Sequence, residues 1–180
     1  MEADMGFNQT EYLVDRFLND IIRLSLVYVR NMDDAQDIAQ QVFITYLQKK
    51  PVFNDENHAK SWLFKVAVNM SKNHIRLQQH NNISYDELEG VLSTDNDTLN
   101  KDKTEREEAV FAAVMRLKRI YREIIHLYYY SEYDTNEISK ILGIPASSVR
   151  SRLTRARAAL EKELKGGIGD AERGLQECNE

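Results

Sequence analysis

Between Ser147 and Arg157 the sequence carries four hydroxyl side chains, four arginines and no acid. Val149 and Leu153 stand four apart, so a helix here turns them to one side. That leaves Ser147, Ser148, Arg150, Ser151, Thr154, Arg155 and Arg157 outside. Such a face suits DNA. Short hydroxyls reach phosphate oxygens, and a guanidinium fork fits the acceptor pair that guanine shows in the major groove. A solvated basic face on a structural helix would have the same composition. What favours DNA reading is the preceding segment. Asp134-x-x-Glu137 opens a short helix carrying Ile138, Ile141 and Leu142. Gly143 suits the left-handed residue that ends it, and Pro145 suits the first turn of the next helix. The pattern is helix, tight turn, helix.

A second basic stretch lies in the first half. From His58 to Arg76 there are four bases (Lys60, Lys65, Lys72, Arg76) and no acid. The 180-residue chain as a whole has a net charge of −5, which alone argues against nucleic acid. The distribution qualifies this. Residues 140–165 hold seven bases and two acids, while residues 77–104 hold six acids and two bases. An acidic chain with local basic stripes is compatible with a protein that meets DNA only at chosen faces.

These segments need elements to hold them. Only 7 Gly and 2 Pro occur, and strong helix formers dominate, so the expected fold is all-α. Leu13, Phe17, Ile21, Leu24 and Tyr28 recur at helical spacing and predict a helix over about 11–30. Asp33 or Asp34 would cap a second helix, with Ala35, Ile38, Val42, Phe43, Tyr46 and Leu47 as its stripe and Pro51 as its end. A third runs from about His58 to Gln79, with Trp62, Leu63, Val66, Ala67 and Met70 inward. Three such helices can bury one another in a bundle. Order breaks down after Leu77, where Asn, Asp, Ser and Thr dominate, with little apolar content to order the chain. It resumes at Thr104-x-x-Glu107, which fits a capping box. Val110, Phe111, Val114 and Leu117 follow, then Tyr121, Ile124, Ile125, Leu127 and Tyr128. Gly166, Gly167 and Gly169 should stop the last helix near Lys165. The expected organisation is two small helical domains, 1–79 and 104–167, joined by a flexible acidic linker, 80–103. The second is a helix-turn-helix, and 168–180 is a polar tail.

Several functions are disfavoured. There is no nucleotide-binding glycine loop, no nucleophile–base arrangement and no paired carboxylates on rigid elements, so an enzyme is not expected. His58, His74, His80 and His126 lack ligand spacing, and Cys178 is the sole cysteine, so neither a metal nor another cofactor is implied. A lone cysteine suits a reducing cytoplasm. The N-terminus lacks a signal-peptide core, and no apolar run approaches the roughly 18 residues of a membrane span.

The segments also resemble a known family. Ser148-Val149-Arg150-Ser151-Arg152-Leu153-x-Arg155-Ala156-Arg157 looks like the promoter-reading helix of extracytoplasmic-function (ECF, group IV) RNA polymerase sigma factors. Glu137-Ile138-x-x-x-Leu142-Gly143-Ile144 resembles their supporting helix. Asp34-Ala35-Gln36-Asp37-Ile38-Ala39-Gln40-Gln41-Val42-Phe43 resembles the helix that docks on the polymerase clamp. Ser61-Trp62-Leu63-Phe64-Lys65-Val66-Ala67-x-Asn69, with Arg76, resembles the helix that reads the proximal promoter element. Three motifs stand in the family's order. There are departures. Members usually carry acids where this chain has Gln36 and Gln41, and often have Leu-Pro where it has Leu117-Lys118.

The resemblance implies a mechanism. Residues 1–79 would be sigma region 2, contacting polymerase through Asp34, Asp37, Gln40 and Gln41. Lys60, Phe64, Lys65, Asn69, Lys72, Asn73 and Arg76 would meet the proximal element, where the 52–57 loop helps form a pocket for a flipped base. Residues 104–167 would be sigma region 4, bringing Ser147, Ser148, Arg150, Ser151, Thr154, Arg155 and Arg157 to the upstream element. The implied partners are core RNA polymerase, promoter DNA and an anti-sigma factor. No membrane insertion and no small-molecule substrate are implied. The rival reading is a free-standing regulator whose first domain senses or dimerises. A sigma factor should instead co-purify with core polymerase and bind promoter DNA weakly alone.

Overall fold

The computed structural model describes residues 2–80 and 105–177. The expected linker falls mostly outside them, as does Thr104 of the expected capping box. Every element among the described residues is helical. Three long helices come first: α1 (Glu2–Val29), α2 (Met32–Lys49) and α3 (Glu56–His80). Then follow α4 (Glu105–Arg116), α5 (Arg119–Ile125) with a π-helical turn at His126–Tyr130, α6 (Thr135–Leu142) and α7 (Ala146–Glu177). The chain divides into two compact units. One holds α1–α3 together with Ser139–Gly143, and the other holds α4, α5, the π turn, the start of α6, and α7.

In the first unit each of the three helices packs on the other two. Their buried stripes are Leu13, Phe17, Ile21 and Leu24 on α1, Ala35, Ile38, Val42 and Phe43 on α2, and Leu63, Phe64, Ala67 and Val68 on α3. Removal of this apolar surface from water drives the bundle together. The helix ends differ from the sequence expectation. Asn31, not Asp33 or Asp34, caps α2: its side-chain oxygen accepts the Asp34 N–H at 3.0 Å. Both aspartates instead lie in the first turn, where negative charge suits the helix dipole. Lys50 closes α2 in the left-handed conformation, its N–H bonding the Tyr46 carbonyl, one residue before Pro51. Asp55 caps α3 by accepting the His58 N–H at 2.7 Å. Leu47, expected in the inward stripe of α2, is half exposed, as is Ile44.

In the second unit α4 and α5 pack on α7. A buried arginine helps join them. Arg122 donates to the carbonyls of Met115 (3.2 Å) and Leu117 (2.9 Å), beside the C-terminus of α4. The last carbonyls of a helix lie beyond its own N–H donors, and a side chain placed there can serve them. Next to it, buried Glu123 pairs with Arg152 of α7 at 3.7 Å.

Asp134-x-x-Glu137, expected to open a helix, forms a reciprocal capping box at the start of α6. Asp134 Oδ1 accepts the Glu137 N–H at 2.8 Å, and Glu137 Oε2 accepts the Asp134 N–H at 2.8 Å. Gly143 then takes φ +70°, with its N–H on the Ser139 carbonyl. An added Cβ would meet nothing within 4 Å, so a side chain there is opposed by backbone conformation alone. Gly143→Ala should therefore cost about 1–2 kcal/mol, read as a lower midpoint in urea unfolding.

Two helices outrun the sequence expectation. α1 starts at Glu2 rather than near Glu11, and α7 continues through Gly166, Gly167 and Gly169 to Glu177. A glycine inside a helix costs only about 1 kcal/mol relative to alanine, and no proline follows to enforce a stop.

Candidate DNA and polymerase interfaces

α7 begins where Pro145 delivers the chain, and the Val149 N–H bonds the Pro145 carbonyl. Val149, Leu153 and Ala156 are buried. The opposite face is open: Ser147, Arg150, Ser151, Thr154, Arg155 and Arg157 are all exposed, and Ser148 is partly covered. The Ser151 and Thr154 hydroxyls donate to the Ser147 and Arg150 carbonyls, leaving oxygen lone pairs as acceptors. All seven sequence-predicted residues thus lie on one helix, six of them exposed.

Arg157 differs from the other arginines on this face. Its Nε donates to the Tyr129 hydroxyl at 2.8 Å. The guanidinium carbon lies 5.4 Å from the Tyr128 ring centroid and 5.6 Å from that of Tyr129. The two rings meet edge to face, 5.0 Å apart. Both belong to the π turn, which the sequence did not signal. Tyr130 stacks on buried His126, and burial raises its phenol above the ordinary range.

On α3 the structure separates residues that the sequence reading grouped. Lys65, Asn69, Asn73 and Arg76 are exposed and Lys72 is partly so, at spacings of four, three, one and three. They form one outward stripe, with Arg76 donating to the Asn73 side chain at 2.8 Å. Phe64 does not belong to it. It is 0 % exposed, deep in the bundle. Residues five apart in a helix point about 140° from each other, so the face that presents Asn69 buries Phe64. Lys60 is nine residues from Asn69 and about 180° away. Its ammonium sits over the Phe64 ring, 5.6 Å from the centroid. The expected proximal-element set therefore loses Phe64 to the core, and Lys60 lies off the stripe.

The loop before α3 is held by aromatic contacts. Phe53 stacks on Tyr46 at 6.0 Å, meets Trp62 at 5.9 Å and takes the edge of His58 at 5.4 Å. Trp62, read from sequence as core, is partly exposed in this cluster.

Three of the four α2 candidates, Asp37, Gln40 and Gln41, are exposed. Asp34 is largely covered, its side chain 26% exposed, and lies 3.3 Å from His74 of α3. Sequence reasoning missed two neighbours. Ile44 and Leu47 continue the Asp37–Gln40–Gln41 stripe at helical spacing and are 43 % and 50 % exposed. A signal was present for Ile44, a large apolar residue that falls outside the periodicity of Ile38, Val42 and Tyr46. No helix among the described residues is long and apolar enough to cross a membrane.

Comparison with known proteins identifies the family. Residues 13–81 match the family described as Sigma-70 region 2, and residues 107–160 match Sigma-70, region 4. The ECF RNA polymerase sigma factor SigW of Bacillus subtilis is 29% identical over 163 residues, 85% of this chain and 87% of that protein. The RNA polymerase sigma factor SigV of the same species is 30% identical over 145 residues, 81% of this chain and 84% of that protein. Among solved structures, the sigma factor RpoE of Bartonella quintana, crystallised with the anti-sigma factor NepR, has a similar fold. Its TM-score is 0.70 at 21% identity, covering 86% of this chain and 96% of that one. Members of the family are initiation factors rather than enzymes. With both sigma regions in order and relatives matched over most of their length, the chain belongs to the ECF RNA polymerase sigma factors, which bind core polymerase and direct promoter-specific initiation.

Proposed function

We infer that three exposed faces divide the work of this sigma factor. The α2 stripe of Asp37, Gln40 and Gln41, assisted by Asp34, docks on core polymerase. The α3 stripe of Lys65, Asn69, Lys72, Asn73 and Arg76 meets the proximal promoter element. The α7 face of Ser147, Arg150, Ser151, Thr154, Arg155 and Arg157, flanked by Ser148, meets the upstream element. On this reading residues 1–79 act as region 2, 80–103 as the connection and 104–167 as region 4. The chain performs no catalytic step of its own, since nucleotide addition belongs to the polymerase. It works in the cytoplasm, with core polymerase. An anti-sigma factor controls it, a reading supported by the fold shared with a sigma factor crystallised in such a complex.

The observation that carries this most directly is the α7 face. From Ala146 to Leu160 it presents three exposed arginines, Arg150, Arg155 and Arg157, and no acid, over a buried seam of Val149, Leu153 and Ala156. Run-off transcription with core polymerase and pools of random promoters tests it. Arg155→Ala should cost about 1–3 kcal/mol and relax preference at one base position. Lys162→Ala, farther along α7, should at most weaken all sequences evenly and lower the salt slope by about one unit. Equal weakening of every sequence by Arg155→Ala would make that residue a phosphate clamp and move base reading to Arg150. No effect from either change would remove α7 as the reading helix.

A further inference from the structure

Arg157 is one of several arginines on the α7 face, yet it alone among them has an aromatic seat. Tyr128 and Tyr129 flank its guanidinium, and the Tyr129 hydroxyl takes its Nε–H. This uses one of the five donors of the group and leaves the Nη nitrogens open. An arginine on an exposed helix ordinarily samples many rotamers, and ordering it on a ligand costs entropy. Here that ordering is done before DNA arrives. Arg157 also lies seven residues, two turns, beyond Arg150, hence on the same side of the helix and about 10 Å along it. A second observation is the backbone. The turn that supplies both tyrosines is π-helical, with the Ser131 N–H bonding the His126 carbonyl at 3.0 Å. Wide turns of this kind are rare and recur at functional sites. In this one, consecutive side chains reach the same guanidinium.

We propose that Tyr129 is a positioning residue for upstream-element binding: with Tyr128 it holds Arg157 pre-ordered as a phosphate clamp at the far end of the recognition helix. The inference rests on the reading of α7 as the upstream-element helix. Tyr129 acts through Arg157 and need not touch DNA itself. A phosphate is the ligand this geometry suits, because the open Nη pair can take two oxygens of one phosphate.

The test uses holoenzyme reconstituted from core polymerase and the full chain, titrated with promoter DNA over a range of salt. Arg157→Ala should weaken binding to all upstream sequences alike and lower the salt slope by about one unit. Tyr129→Phe removes only the hydroxyl. It should weaken binding about three- to ten-fold, as expected for one lost hydrogen bond, with the salt slope kept and base preference unchanged. In the Arg157→Ala background, Tyr129→Phe should have no further effect. Thermal unfolding of each variant reads the alternative. If Arg157→Ala lowers the melting temperature but leaves affinity and salt slope intact, the cluster is a structural staple and the proposal fails. Equal weakening by Tyr129→Phe in both backgrounds also overturns it, since Tyr129 would then act independently of Arg157. Arg150→Ala and Arg155→Ala separate this failure from that of the underlying reading. If they weaken binding while the Arg157 and Tyr129 changes do not, only the clamp is lost. If all four are silent, α7 does not read the upstream element.

Discussion

Asp37→Arg should abolish co-purification with core RNA polymerase while leaving helix content and thermal midpoint close to those of the parent protein. Asp37 is exposed on α2, and the buried stripe beside it is Ala35, Ile38, Ala39, Val42 and Phe43. A surface change away from the core typically moves stability by no more than about 0.5 kcal/mol. Binding is different. The face that carries Asp37 also presents Gln40, Gln41, Ile44 and Leu47, a polar margin beside half-exposed apolar side chains. Contiguous exposed apolar groups rimmed by polar ones mark protein interaction sites. Where the facing surface is basic, as an acid at this position implies, reversing the charge sets like charges together and costs several kcal/mol, about 100-fold or more in affinity. Pull-down with tagged core polymerase, alongside circular dichroism, is the measurement. Wild-type recovery of the variant would take α2 out of the interface. Ile44 and Leu47 sharpen the expectation, because they supply the desolvated area that a polar helix face alone lacks.

Phe64→Ala should destabilise the first unit by about 3–5 kcal/mol, the usual cost of emptying a buried aromatic position. Phe64 is fully buried, so deletion removes both transfer free energy and packing contacts. Against total stabilities of about 5–15 kcal/mol, the loss is a large fraction. Equilibrium urea unfolding reads it directly. Asn69→Ala, on the exposed stripe of the same helix, should barely move the midpoint and should instead weaken binding to the proximal element. The pair of variants separates core from interface on one helix. A Phe64→Ala protein with parental stability and a specific promoter-melting defect would restore Phe64 to the DNA-contacting set.

The helix-turn-helix was legible because local signals there agree. The Asp134–Glu137 box, Gly143 in its left-handed turn, and the Val149–Leu153 seam each follow from one residue type at one spacing. The α7 arginine face came with them. Reading α3 was harder. A family motif names residues in a row, but successive residues of a helix point about 100° apart. Phe64 and Lys65 therefore entered the same expected set although one is buried and the other exposed. The α2 cap went to Asn31 rather than to Asp33 or Asp34 because several good capping residues stand side by side, and only the φ of Asn31, −130°, decides among them. Leu47 was counted inward because periodicity cannot tell a broad buried stripe from a narrow one with apolar neighbours. The partners of Arg157 lay beyond reach, since a π turn leaves no mark in composition and the contact spans 28 residues of chain.

The π turn also matters for how such a chain can vary in length. A π turn holds one residue more than an α turn closing over the same distance, so His126–Tyr130 is a place where one residue could be lost with little change to the flanking helix. Residues upstream keep their places. The contacts of Arg122 with the end of α4 and of Glu123 with Arg152 are made from positions before the turn. Only side chains within the turn change direction. A shorter chain, one residue less between His126 and Tyr130, could close the same span as ordinary α-helix and keep that buried scaffold. A change of length at this point would therefore redirect the side chains beside Arg157 without redrawing the buried support, and variation there can be read as retuning rather than as damage.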